Sequence, residues 1–267
     1  MRFLLFFPLL LALAACGDTT TADVDSTPDP VTSVDPPVTQ GPKAKMTPVF
    51  HAAVVLEYDG KTIFVDPYDK PEKFAGFSAP DMVVITHTHG DHFNKEVLGA
   101  LDLSDAELIG PAAVTEQAGE MGFDKITTLA NGESTATGDI DVTAVAAYNL
   151  PKSADAFHPP GKFNGYVIDL GGERYYFSGD TEDVEEMRAL EDIDYAFVCM
   201  NLPYTMEMSA AADAVLEFKP RVVYPYHYRN KDGSFMDTGK FAARVREGDK
   251  TIDVRLLDWY GGNADSK

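Results

Sequence analysis

Cysteine is almost absent: Cys16 and Cys199 are the only two in 267 residues. Cys199 lies in the apolar run Tyr195-Ala196-Phe197-Val198-Cys199-Met200, which reads as a buried strand, so no intrachain disulfide is expected. Basic residues are scarce too, 22 Lys and Arg against 43 Asp and Glu, for a net charge of −21 at pH 7 and an isoelectric point near 4.5. Such a field repels phosphate backbones and excludes nucleic acid as the expected partner, except where bound cations reverse its sign locally. Residues 17–45 lack any aromatic side chain and any apolar period. They cannot bury a core and read as a disordered tether.

The one long apolar run follows Arg2 and is too short to span a bilayer comfortably, so residues 1–15 read as a secretory signal. It ends in Leu13-Ala14-Ala15-Cys16, which resembles the bacterial lipobox. That resemblance implies a lipidated Cys16, a tether over 16–45, and a protein anchored to a membrane of the bacterial cell envelope on its periplasmic side. Residues 46–263 then suit one large α/β domain.

Within that domain, the β-rich runs 54–58 and 62–65 flank Asp59-Gly60-Lys61 and predict a hairpin. The apolar run 82–85 predicts a buried strand that delivers the polar stretch after it into a loop. Helical spacing over 95–103 and 112–121 alternates with strand-like 108–109 and 126–129. The second half repeats the scheme, with a strand over 141–148 and a hairpin of 166–170 with 174–177 turning at Gly171-Gly172. Helices are expected over 183–190, 209–218 and 240–245, between strands at 195–200, 222–226 and 252–257. Hairpins plus β-α alternation in both halves fit two mixed sheets packed face to face with helices outside, or a three-layer α/β fold.

Histidine is rare, yet His87, His89 and His92 fall with Asp91 inside Thr86-His87-Thr88-His89-Gly90-Asp91-His92, at the end of a predicted strand. Two imidazoles at i and i+2 suit one metal, and a turn at Gly90 can aim Asp91 and His92 at a neighbouring one. His-x-His-x-Asp-His resembles the signature of the metallo-β-lactamase superfamily, and further elements match in order over roughly the whole domain. The resemblance implies a four-layer αββα sandwich of two mixed β-sheets. It also implies that Asp66, in Val65-Asp66-Pro67, buttresses the ligand loop, that Asp180, in Ser178-Gly179-Asp180-Thr181, bridges two metals, and that His227 is the final ligand. His51 followed by Ala-Ala-Val-Val-Leu-Glu looks like the branch that holds ascorbate-phosphate lactonases and the phospholipase D acting on N-acyl phosphatidylethanolamines. There a histidine at this place lies near the active site, so His51 either contacts substrate or packs. One departure stands out: the family's histidine at the end of the 142–148 strand is replaced by Asn149, while His158 follows on the next loop. Either Asn149 or His158 completes the first metal, or His158 contacts substrate instead.

The implied cofactors are two divalent metal ions, zinc first and manganese or iron as alternatives, which activate water near neutral pH. His87, His89 and Asp180 with Asn149 or His158 would hold one, and Asp91, His92, Asp180 and His227 the other. Asp91 would accept the proton of the attacking water, with His51, His158 or Tyr204 meeting the developing oxyanion. Tyr204 and Met206 are expected either to line the pocket or to pack. All six histidines, 51, 87, 89, 92, 158 and 227, thus lie in or beside motif positions. The expected activity is hydrolysis of a small ester, lactone or phosphodiester, from a small-molecule or lipid-derived substrate. A non-catalytic metal-binding lipoprotein, a β-lactamase and a flavodiiron-like redox module are the competing readings.

Overall fold

The computed structural model describes residues 42–261. The expected signal segment, the lipidation site Cys16 and nearly all of the expected tether lie outside them.

The first half runs β1 (Lys45–Phe50), β2 (Ala53–Tyr58), β3 (Lys61–Val65), β4 (Met82–Val84), α1 (Lys95–Ala100), β5 (Glu107–Gly110), α2 (Ala112–Ala118) and β6 (Lys125–Thr128). These six strands form one sheet in sequence order, antiparallel through β3 and parallel from β3 to β6. The second half runs β7 (Ser134–Thr137), β8 (Ile140–Ala147), β9 (Phe163–Leu170), β10 (Arg174–Phe177), α3 (Glu185–Arg188), β11 (Tyr195–Cys199), α4 (Met208–Phe218), β12 (Val222–Tyr226), α5 (Thr238–Gly248) and β13 (Asp253–Val254). Its seven strands form a second sheet, antiparallel from β7 to β10 and parallel from β10 to β13. Each half therefore begins with hairpins, which tight turns can close, and ends with parallel strands, which need crossover segments between them.

Alternation along the first sheet sorts its side chains into two cores. Val54, Leu56, Ile63, Val65, Met82, Val84 and Ile109 join the large cluster shared with the second sheet. Val55, Phe64, Val83, Ile85 and Leu108 turn the other way, onto Val97 and Leu98 of α1 and Val114 and Ala118 of α2. One face of the first sheet thus packs on a second sheet and the other on helices, which makes the four-layer sandwich rather than the three-layer alternative. Across the second sheet Tyr175 stacks on Tyr195 at 4.9 Å, Phe177 on Phe197 at 4.5 Å and Phe197 on Tyr224 at 4.9 Å. Each such pair contributes about 0.5–1.5 kcal/mol beyond its buried area.

The edges depart most from the sequence expectation. β1 contains Pro48, and β7 is a mostly exposed run of Ser, Thr and Ala, so neither carries a burial pattern to read. The outermost β13 pairs through two residues where 252–257 was expected. α1, α2 and α3 are likewise shorter than their spacing suggests, and Leu103, Met121 and Leu190 beyond their ends pack on the cores from irregular backbone. Among the described residues no helix is long and apolar enough to cross a membrane.

Candidate metal centre

The candidate ligands sit where strands end. Asp66 follows β3, the His87–His92 loop follows β4, Asp180 follows β10 and His227 follows β12, so parallel strands deliver them to one rim. Several of these turns are strained. Among the described residues Asp66, His227 and His51 are non-glycine residues in the left-handed region, at φ 44°, 48° and 60°. Each costs about 1–3 kcal/mol, which surrounding bonds must hold in place. The His227 N–H donates to the His51 carbonyl at 3.1 Å, and the Asp66 N–H to the Val84 carbonyl at 3.0 Å. Gly179, at φ 58°, is needed where it stands: a Cβ there would lie 2.9 Å from the Asn164 carbonyl oxygen and 3.0 Å from Thr86 Cβ. Its N–H donates to the Tyr226 hydroxyl at 3.0 Å, which seats the Asp180 turn against the end of β12, next to His227.

Hydrogen bonds behind the histidines choose which ring nitrogen faces inward. Asp66 accepts from the Thr86 backbone N–H at 2.8 Å, the Thr86 hydroxyl at 2.7 Å and His92 Nδ1 at 2.7 Å. With its proton spent on Asp66, the Thr86 hydroxyl can only accept from His87 Nδ1, at 2.9 Å. One buried carboxylate thus makes Nδ1 the outward donor of both rings and aims their Nε2 atoms inward. Asn149 does the same for His158: its Oδ1 accepts from the His158 backbone N–H at 2.8 Å and from Nδ1 at 3.2 Å, while its Nδ2 donates to the Tyr204 carbonyl at 2.8 Å.

Two clusters result, joined by Asp180. In the first, ligand atoms of His87, His89, His158 and Asp180 lie within 4.8 Å of one another, with His87 Nε2 and His89 Nδ1 at 3.1 Å and His158 Nε2 3.4 Å from Asp180 Oδ2. In the second, His92 Nε2 and His227 Nε2 are 3.0 Å apart and each lies 3.3 Å from Asp180 Oδ1. Asp91 Oδ2 lies 3.6 Å from His227 Nε2 and 3.3 Å from His51 Nε2, and the three residues form a further convergent group. Lone pairs facing one another at such distances repel unless a cation or proton lies between them. His158 Nε2 and Asp180 Oδ1 are moreover buried without a hydrogen-bond partner. Imidazole nitrogens and carboxylate oxygens left this way fit divalent cations.

Burial disfavours charge on the imidazoles. It takes His51 down to about 3 and His158 to about 4, and holds His87 well below its ordinary value, with His92 adding repulsion. His92 is the exception. Burial opposes its charge, but the carboxylates of Asp180 and Asp66 outweigh that and raise it well above the usual range. Burial likewise works against charge on Asp180 and Asp91, yet His227 and His92 hold Asp180 well below the carboxylate range, and the bonds to His227 and His51 do the same for Asp91. Ionised carboxylates among mostly neutral imidazoles are the forms that bind metal.

The clusters open into a cleft of about 740 Å³ lined by His51, His89, Asp91, Asp180 and Tyr204 among others. The side chain of Asp91 stays 37% exposed, whereas that of Asp180 is 5% exposed, so Asp91 is the carboxylate a substrate can reach. Asn149 stands beside His158, its amide oxygen accepting from that residue's backbone N–H and Nδ1. Of the two roles open to Met206, it takes packing over cleft lining. It is 1% exposed and belongs to the main core, since the turn closed by the Tyr204 and Thr205 N–H groups on the Asn201 carbonyl points residues two apart in opposite directions. Sequence reasoning missed Arg229, Lys231 and Phe235 on the cleft wall, and Tyr260, whose hydroxyl lies 2.8 Å from His51 Nδ1. The two cations stand two and four positions after His227, a proximity that could have drawn notice. Tyr260 carries no local signal, being 209 positions from the histidine it meets.

Two mixed sheets in a sandwich, with histidine and aspartate clusters at their strand ends, define a metallo-β-lactamase-fold hydrolase. A Beta-lactamase superfamily domain model matches residues 45–227, from β1 to the last histidine. The chain belongs to that superfamily and, within it, to the UPF0173 metal-dependent hydrolases. It is 32% identical over 216 residues to the UPF0173 metal-dependent hydrolase of Anaeromyxobacter sp. (strain K), spanning 73% of this chain and 78% of that one. Its counterpart in Deinococcus radiodurans is 34% identical over 191 residues, 67% of this chain and 78% of the relative. Among solved structures, a protein of Parabacteroides distasonis ATCC 8503 assigned as a metal-dependent hydrolase is 34% identical, with a TM-score of 0.70 over 81% of this chain and 94% of that one. The metallo hydrolase Igni18 of Ignicoccus hospitalis, 24% identical, shares the fold with a TM-score of 0.68 over 80% of this chain and 94% of its own.

Proposed function

We propose that this metal-dependent hydrolase cleaves a small ester, lactone or phosphodiester in the bacterial cell envelope, held on the periplasmic side of a membrane by a lipid on Cys16. The observation that carries the reading is Asp180, which offers one oxygen to each histidine cluster at the floor of a cleft that Asp91 overlooks. His87, His89, His158 and Asp180 would hold one divalent cation, and Asp91, His92, Asp180 and His227 a second, with zinc favoured by the imidazole-rich set and manganese or iron also accommodated. Cations bound there would lower the pKa of water from about 15.7 to near 7 and polarise the scissile carbonyl or phosphoryl group.

The chain's own residues do the rest. Asp91, ionised and exposed to the cleft, accepts the proton of the attacking water and passes it to the departing oxygen. Burial keeps the Tyr260 hydroxyl protonated, so it donates to His51 Nδ1, and His51 Nε2–H in turn holds Asp91 Oδ2 in place. Tyr204, packed edge-on against Phe157 at 5.0 Å, forms a wall for the substrate. The stretch His51-Ala52-Ala53-Val54-Val55-Leu56-Glu57 and the Val65-Asp66-Pro67 turn support a likeness to the lactonase and phospholipase branch, and small-molecule or lipid-derived substrates over nucleic acid.

Protein purified with its native metal should turn over a member of a panel of nitrophenyl esters, lactones and phosphodiesters, lose the turnover on chelation and regain it with zinc. Bound metal with no turnover across that panel would instead favour a binding protein. For the anchor, Cys16→Ser should keep turnover and move the protein from the membrane pellet to the soluble fraction. A variant still pelleted after a carbonate wash would rule out attachment through Cys16.

A further inference from the structure

Two cationic side chains line the cleft of a molecule that is strongly acidic overall. Arg229 and Lys231 both line it, in a chain with 43 acidic residues. Arg188, Arg221, Arg244 and Arg255 each pair with a carboxylate. Among the described residues neither Arg229 nor Lys231 does. Arg229 is held by ring faces instead, with its guanidinium carbon 5.7 Å from the centroid of Phe50 and 5.5 Å from that of Tyr260. Stacking uses the faces of a guanidinium and leaves its in-plane N–H donors free for an oxyanion.

The segment carrying these cations is built to stay in place. Arg229 and Phe235 form a bridge, the Asn230 N–H donates to the Ser234 carbonyl at 2.8 Å, and the Gly233 N–H to the Asn230 carbonyl at 3.0 Å. Asn230 Oδ1 accepts from the Leu202 N–H at 2.8 Å and the Lys231 N–H donates to the Leu202 carbonyl at 3.1 Å, tying the loop to the turn that bears Tyr204. Tyr260, against which Arg229 stacks, is also the partner of His51, so two residues, Tyr260 and His51, stand between the guanidinium and Asp91. Phe157 and Phe235, 52% and 42% exposed, border the same cleft and leave apolar surface beside the charge.

We infer that Arg229 and Lys231 form an anion subsite at the cleft mouth, taking a carboxylate, phosphate or sulfonate group that the substrate carries away from its scissile bond, while Phe157 and Phe235 cover its apolar part. The subsite rests on the hydrolase reading only for what it delivers to Asp91. Without it, the acidic surface would repel such an anion, so the two cations decide whether the cleft admits it.

Calorimetric titration of the metal-loaded protein with benzenesulfonate, whose sulfonate is a weak metal ligand, tests this. The double variant Arg229→Gln/Lys231→Gln should bind it about tenfold more weakly, a loss typical of charge-assisted hydrogen bonds. Neutral benzamide should show no comparable loss. Benzoate and phenyl phosphate run alongside distinguish the two natural groups: tighter binding of either, weakened in the same variant, supports the subsite and names the anion. If the double variant does not fold, exposed Lys231→Gln alone should give a smaller loss in the same direction. Equal benzenesulfonate affinity in wild type and variant, or equal weakening of benzamide, overturns the subsite. A protein that binds benzenesulfonate as expected but turns over no ester, lactone or phosphodiester of the panel keeps the subsite and loses the proposed reaction.

Discussion

Asp180→Ala should fold, bind less metal than wild type and lose at least about a thousandfold in turnover, since the carboxylate that faces both histidine clusters also aligns what they hold. The residue is 4% exposed and packed among His87, His92, His158 and His227, so no water can take its place without leaving those nitrogens turned on one another. Metal analysis by mass spectrometry reads the first part and the ester panel the second. A metal content equal to wild type would falsify the bridging role. Asp180→Asn guards against a folding failure: it keeps the shape, loses the charge and should still release metal.

His158→Ala should release one metal and with it nearly all turnover, because the His158 ring supplies the third imidazole of the first cluster from a loop rather than a strand end. Asn149→Ala should act differently. Its amide positions His158, so metal affinity should fall by about 10–100-fold, the usual cost of losing a ligand's outer partner, and excess zinc should restore turnover. Asn149→His in the His158→Ala background moves an imidazole to the strand end and should recover metal binding. Full metal retention in His158→Ala would sink its role as ligand. A fall in rate of about two to four powers of ten with both metals kept would make it a proton donor or oxyanion contact instead.

The sequence by itself was enough for what depends on local order. The His87-to-His92 stretch is contiguous, and any extended strand entering a turn at Gly90 must present those side chains close together. The hairpins at Asp59-Gly60 and Gly171-Gly172 follow from their turns, and the alternation in β2, β3 and β4 is written in residues that must choose between two faces. Acidic composition and a single buried thiol in the described residues are equally local facts. Tertiary structure alone decided how His158 and Asn149 share one corner of the site, because a loop's path between two strands is set by what it packs on and not by its own pattern. It put Met206 into the core and Tyr204 on the cleft, which two neighbours on a turn cannot announce. It also brought Tyr260 to His51 and Arg229 to the cleft mouth, contacts between segments far apart in the chain. Proximity along the chain is legible in the residues; proximity across it exists only once the two sheets have closed on each other, since burying their shared face is what fixes which strand ends meet.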